Sequence, residues 1–261
     1  MDANTRQLIE NAEALYKPIV VGEGCRIRNG NQLWKQFLAA VGMCAKCAAG
    51  GERQLLERIN ELATAKVLAE DQDLHGVISY ELDLLPSGRK IDFVAERERD
   101  NLYVEVKTVR PEALDNEETW ARYLSLSAFH PNNVNFIVSE DGMGGMIYAN
   151  AFASRSKFLQ YSLAFEKRLA EVQSVKAGPG VLVFCGTGFA WDVSDLEDFS
   201  DYYHSGHHRE DDPFALMEQH EIDAKGIDIQ RNISYFAFIK RHSSVADVQR
   251  VCFPVRGPTY N

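Results

Sequence analysis

The stretch that most constrains this chain runs from Arg89 to Val109, RKIDFVAERERDNLYVEVKTV. Its first half carries Ile91, Phe93 and Val94 and leads into the charged turn Glu98-Arg99-Asp100-Asn101. Its second half alternates strictly, with Leu102, Val104 and Val106 on one face and Tyr103, Glu105 and Lys107 on the other. Period-two alternation marks a strand, and two such runs around a polar turn read as a β-hairpin. Successive strand side chains point to opposite faces, so Glu105 and Lys107 stand side by side. A turn centred between Arg99 and Asp100 pairs residue 92 with residue 107, and cross-strand partners share a face. Asp92 is then expected opposite Lys107 and diagonal to Glu105, giving two carboxylates and one ammonium in a single cluster.

Such a cluster has a chemical use. Two carboxylates, with waters and a substrate phosphate, are the ligands magnesium takes. The ion polarises the phosphate and acidifies a bound water. A neighbouring lysine orients that water or neutralises charge developing on phosphorus. The competing reading is a solvated strand face, whose charge ladder contributes little. Asp92 followed by Glu105-Val106-Lys107 resembles the PD-(D/E)XK nuclease superfamily, the fold of many restriction and junction-resolving enzymes. Ile91 stands where that pattern usually has proline. The resemblance covers roughly residues 50 to 140. It implies an α/β fold, with a restriction-endonuclease-like α-β-β-β-α-β core, a mixed central sheet and a C-terminal α+β elaboration. It further implies a Mg²⁺-dependent nuclease (Mn²⁺ substituting) that hydrolyses phosphodiester bonds, with DNA the expected substrate. Asp92 and Glu105 would hold the metal with the Val106 carbonyl as an extra ligand, and Lys107 would act on the water. The superfamily's helix before the hairpin supplies one more acid. Glu52, on the same face as Leu55 and Leu56, is the first candidate and Glu61 the second.

The flanking segments are read from periodicity. A short helix over 5–16 is expected to end at Pro18, with 17–31 irregular. A second helix over 31–49 carries Leu33, Trp34, Phe37, Leu38, Val41 and Cys44. Its Cys44-x-x-Cys47 pair has no companion pair at zinc spacing, so core packing is the expectation. Gly50-Gly51 precedes a helix from Glu52 to about Glu70, with its stripe centred on Leu55, Ile59 and Ala63. A strand over 77–85 holds Glu81 and Asp83 on a common side expected to face solvent, although Glu81 could back the metal ligands. After the hairpin, a loop (111–116), a helix (117–128) and a strand (133–138) complete the core order, strand-helix-strand implying a right-handed crossover. A helix over 150–173 carries Arg155, Lys157, Lys167 and Arg168, cations that could contact phosphates but are expected on a solvated face. A buried-type strand spans 181–185, and strands over 233–239 and 248–255 flank Lys240-Arg241-His242. Residues 195–212 read as a polar loop. Its His204, His207, His208, Asp211 and Asp212 are metal-type donors, and His207, His208 and Arg209 beside Tyr202 and Tyr203 suit a nucleic-acid backbone.

Composition bounds the rest. At 261 residues the chain suits one elaborated domain, divided as 1–50 (helical extension), 51–140 (core) and 141–261 (elaboration). No apolar run is long enough for a transmembrane helix, and the N-terminus lacks a signal peptide's apolar core. Five cysteines without a framework spacing point to a reducing, cytoplasmic setting. The formal net charge of −10 argues against a broad, non-specific grip on nucleic acid. It favours a selected or delivered substrate, with a partner protein or a homodimer supplying contacts. A scaffold module that keeps the fold without catalysis is the rival, and RNA is the rival substrate.

Overall fold

Apolar periodicity alternates along this chain between helical and strand spacing, and the result is a mixed sheet with helices on both faces. The computed structural model describes residues 3–22, 24–83, 85, 87–109, 151–173, 176–186, 193–205, 218, 231–241 and 248–254. In order, the elements are α1 (Ala3–Val20), β1 (Ile27–Arg28), α2 (Gly30–Ala45), α3 (Gly51–Glu70), β2 (Ile78–Leu82), β3 (Ile91–Glu96) and β4 (Asn101–Thr108). Then come α4 (Ala151–Gln173), β5 (Gly180–Gly186), α5 (Val193–Ser205), β6 (Ile233–Arg241) and β7 (Val248–Pro254). The segments expected over 111–116, 117–128 and 133–138 lie outside the described residues.

The seven strands form one sheet in sequence order. β2, β3 and β4 are an antiparallel meander, β4, β5 and β6 run parallel, and β7 returns antiparallel on β6. The strand that neighbours β4 is therefore β5, preceded by α4. One face of the sheet (Phe93, Ala95, Val104, Val106, Val183) packs against α1, α2 and α3. The other (Val94, Tyr103, Leu182, Phe184, Phe236) packs against α4 and α5, with Phe158, Phe184, Phe199 and Phe236 in mutual ring contact. Among the described residues no helix is long and apolar enough to cross a membrane.

Five expectations change. α1 runs on to Val20 with Pro18 inside it, because a proline in the last turn deprives only one carbonyl of its partner, and Val21 still donates to the Lys17 carbonyl at 2.9 Å. The segment expected as a loop from residue 195 begins as helix α5, whose Leu196, Phe199, Tyr202 and Tyr203 recur at helical spacing and are buried. Polar composition masked that stripe. β2 stops at Leu82, and at Glu81 the backbone turns left-handed (φ 44°), which breaks the alternation assumed for Glu81 and Asp83. The hairpin turn lies one residue earlier than expected. Glu96 pairs with Asn101, and Arg97 donates to the Asp100 carbonyl at 2.9 Å. The Cys44-x-x-Cys47 pair is split, with Cys44 in the core and Cys47 exposed beyond the helix end.

Candidate functional site

The earlier turn moves the register without changing its parity. Phe93 faces Val104, so Asp92 falls at the level of Glu105 instead of Lys107. All three residues still share the face covered by α4. The β3–β4 ladder ends at Phe93–Val104, and beyond that point the Val106 N–H donates to the Asp92 carboxylate Oδ2 at 2.7 Å. Asp92 thus takes the place of a missing strand partner where the two strands part. A strand residue's N–H and C=O point to the same side. The Val106 carbonyl therefore opens toward the same gap.

Glu105 is fully buried, and both cations near it act on one oxygen. Lys107 Nζ and Arg168 Nη1 each lie 2.5 Å from Oε1. Oε2 is equally buried and has no hydrogen-bond partner among the described residues. An unpaired buried carboxylate oxygen is costly, and it is the kind of atom a cation satisfies. Arg168 comes from the layer opposite α3 and also donates to the Lys90 carbonyl at 3.3 Å. The sequence pattern puts it on a solvated face, and the fold packs it against Glu105 instead. It lies three residues after Phe165 and four before Val172, both buried, so helical phase places it at the edge of the apolar stripe.

The electrostatics follow from crowding. Burial, then the field of Glu105, hold the Asp92 carboxyl well above the usual carboxylate range, against the pull of Lys107; Glu61 adds to the upward shift. For Lys107, burial opposes the charge, but Glu105 and then Asp92 outweigh it and raise its pKa.

Glu61, the second of the two helix acids, proves to be the one with a described side chain in reach of Asp92's field. It is buried, bonded by Arg58 Nη1 at 2.6 Å, and it accepts from the Tyr80 hydroxyl at 2.8 Å. Burial raises its pKa, with Arg58 opposing. A single stripe centred on Leu55, Ile59 and Ala63 leaves Glu61 off the buried face. Every residue from Ile59 to Ala65 is in fact buried, because α3 is wedged between the sheet and α1 and α2. Glu52 lies in the first turn of α3, and its side chain is outside the described residues. Tyr80 and Arg58, neither singled out by pattern, tie α3 to β2: Arg58 donates to the Tyr80 oxygen at 3.0 Å, which also lies 2.8 Å from Gln36 Oε1.

Glu81 falls level with Asp92 on the other side of β3. A regular strand would have put three carboxylates abreast. The left-handed backbone instead sends Glu81 to Gln32 Nε2 (2.5 Å), Gln36 and Lys90. A non-glycine residue held this way costs about 1–3 kcal/mol and is retained where the surroundings enforce it.

Among the described residues no three His, Cys, Asp or Glu side chains gather as a metal group. The donors that fit a hard divalent cation are Asp92, the free Oε2 of Glu105 and the Val106 carbonyl, a set magnesium completes with water. His204 is half-buried, its Nδ1 2.8 Å from the Ser200 carbonyl, and burial lowers its pKa. His207, His208, Arg209, Asp211 and Asp212 lie outside the described residues. A cleft of about 580 Å³ sits at the hairpin-turn end of the sheet, lined by Glu96, Arg97, Glu98 and Asp100 among others. It is four strand residues, or about 13 Å, from Asp92. Compared with family models, curated proteins and solved structures, the chain matches none significantly.

Proposed function

We propose that this protein is a Mg²⁺-dependent nuclease that hydrolyses phosphodiester bonds, with DNA as substrate. The observation that carries the reading is the unpartnered, fully buried Oε2 of Glu105 at the point where β3 and β4 part around Asp92. In this reading Asp92 and Glu105 hold Mg²⁺ or Mn²⁺ with the Val106 carbonyl, and Glu61 reinforces the negative field from α3. The bound ion supplies Lewis acidity toward the phosphate and acidifies a water. Lys107, fixed on Glu105 and kept charged by its neighbours, orients that water and offsets the charge on phosphorus. The partial exposure of Asp92 and of Lys107 leaves a path for ion and substrate. The restriction-endonuclease-like core is part of the proposal. Among the described residues, α3, β2, β3, β4, α4 and β5 follow one another in an order compatible with that core.

The test is cleavage of linear duplex, supercoiled plasmid, single strand, branched DNA and RNA with Mg²⁺ and with Mn²⁺. Asp92→Ala, Glu105→Ala and Lys107→Ala are expected to lose at least about a hundredfold in rate on whichever substrate is cut. Wild-type rates in these variants would sink the assignment. One observation favours a second reading, a silent binding module. Glu105 is already neutralised by two cations, so the cluster is stable without metal. Calorimetry separates the two, since a silent module shows no Asp92-dependent uptake of Mg²⁺ or Mn²⁺.

A further inference from the structure

We propose that Arg168 is the resident counter-ion of Glu105, displaced when a divalent cation enters, and that the displaced guanidinium then grips the substrate phosphate. This rests on the nuclease reading and adds to it a residue and a regulatory step.

The contact geometry points to a placeholder. An arginine that permanently neutralises a buried carboxylate presents its planar fork, two N–H groups to two oxygens. Arg168 does not. A single nitrogen, Nη1, is shared between Glu105 Oε1 and the Lys90 carbonyl, and Oε2 is left without a partner. Lys107 already occupies Oε1 at the same distance. Two cations therefore crowd one oxygen while the adjacent one is open.

Entry of a divalent ion at Oε2 reverses the balance. With both carboxylates ionised and a divalent ion bound, Lys107 and Arg168 would leave the group two charges positive, so it would draw in an anionic ligand and repel one of its own cations. Lys107 sits two residues from Glu105 on the same strand and the same face, so the strand itself keeps it beside the carboxylate. Arg168 reaches in from α4, which is anchored by Phe158, Phe165 and Leu169, on a flexible stem with its side chain 19 % exposed. Its attachment to a different layer lets it swing away from Glu105 without moving an element. A guanidinium released from its carboxylate offers five donors in a plane that matches a phosphodiester. Lys90, 43 % exposed, accepts from Arg168 through its own carbonyl.

The test uses the full chain. Mn²⁺ affinity is measured by calorimetry for wild type, Arg168→Gln, Arg168→Lys and Asp92→Ala. Affinity for a short fluorescent DNA duplex is measured in Ca²⁺, and circular dichroism melting checks folding. Removing one unit charge a few ångström from the ion is expected to tighten Mn²⁺ about tenfold in Arg168→Gln, while duplex binding weakens about tenfold. Arg168→Lys keeps the charge without the fork, so its Mn²⁺ affinity stays near wild type and its duplex binding falls. Asp92-dependent Mn²⁺ binding that is no tighter in a folded Arg168→Gln overturns the counter-ion role and leaves the nuclease reading standing. Duplex binding in Arg168→Lys equal to wild type overturns the phosphate grip, and it decides the matter if Arg168→Gln does not fold. Absence of Mn²⁺ binding in every protein removes the nuclease reading and this inference together.

Discussion

At the scale of single residues, the site stores an imbalance that its own stability should report. An acid whose folded pKa lies above its unfolded one costs nothing at low pH, where both states are protonated. The cost grows as pH rises through the ordinary carboxylate range and levels off at the folded pKa. Asp92 is such a group, by burial and by the neighbouring Glu105. In the absence of divalent ions, Asp92→Asn should therefore be more stable than wild type at neutral pH by roughly 1–2 kcal/mol. The gap should close as pH falls to about 4. The asparagine carbonyl still accepts from Val106, so the strand contact survives. Denaturant melts across that pH range check the prediction, and a variant that is less stable at neutral pH would contradict it. Glu166 obeys the same sign. Burial raises its pKa although the N–H groups of Asn232 and Ile233 and the Tyr203 hydroxyl all reach its Oε1.

At the scale of elements, two glycines mark what the fold requires. Gly76 leads into β2, and a Cβ there would meet the Glu96 carbonyl oxygen at 1.9 Å. Backbone must shift to admit it. Gly76→Ala should cost more than about 3 kcal/mol and loosen the pairing of β2 with β3. Gly42 lies inside α2, and an added methyl finds nothing within 4 Å. Gly42→Ala should stabilise by about 1 kcal/mol through lost chain entropy. Thermal melts of the two variants should move in opposite directions. A shift of the same sign in both would mean that one of these backbones is misplaced.

At the scale of the whole molecule, a net charge of −10 must coexist with any affinity for a polyanion. The described cations near the site are Arg58, Lys90, Lys107 and Arg168. Each neutralised phosphate contributes about −0.9 to the slope of log affinity against log salt. Four contacts at most give a slope no steeper than about −4 for duplex binding in Ca²⁺. Fluorescence anisotropy over a salt series measures it. A steeper slope would require a basic surface elsewhere on the chain or on a partner.

The sequence by itself determined the elements that carry strong periodicity: the hairpin, α3, α4, β5 and the last two strands. It also determined that Asp92, Glu105 and Lys107 share a face, because strand parity is local and survives a one-residue error in the turn. Tertiary structure alone decided the rest. It set Asp92 level with Glu105, since register depends on where two strands part. It turned Glu81 away from the row, through a backbone conformation its side chain does not advertise. It brought Glu61 into the field of Asp92, because a helix wedged between a sheet and two other helices buries more than one stripe. It set Arg168 on Glu105 across 63 positions of chain, a contact that only the packing of α4 on the sheet creates.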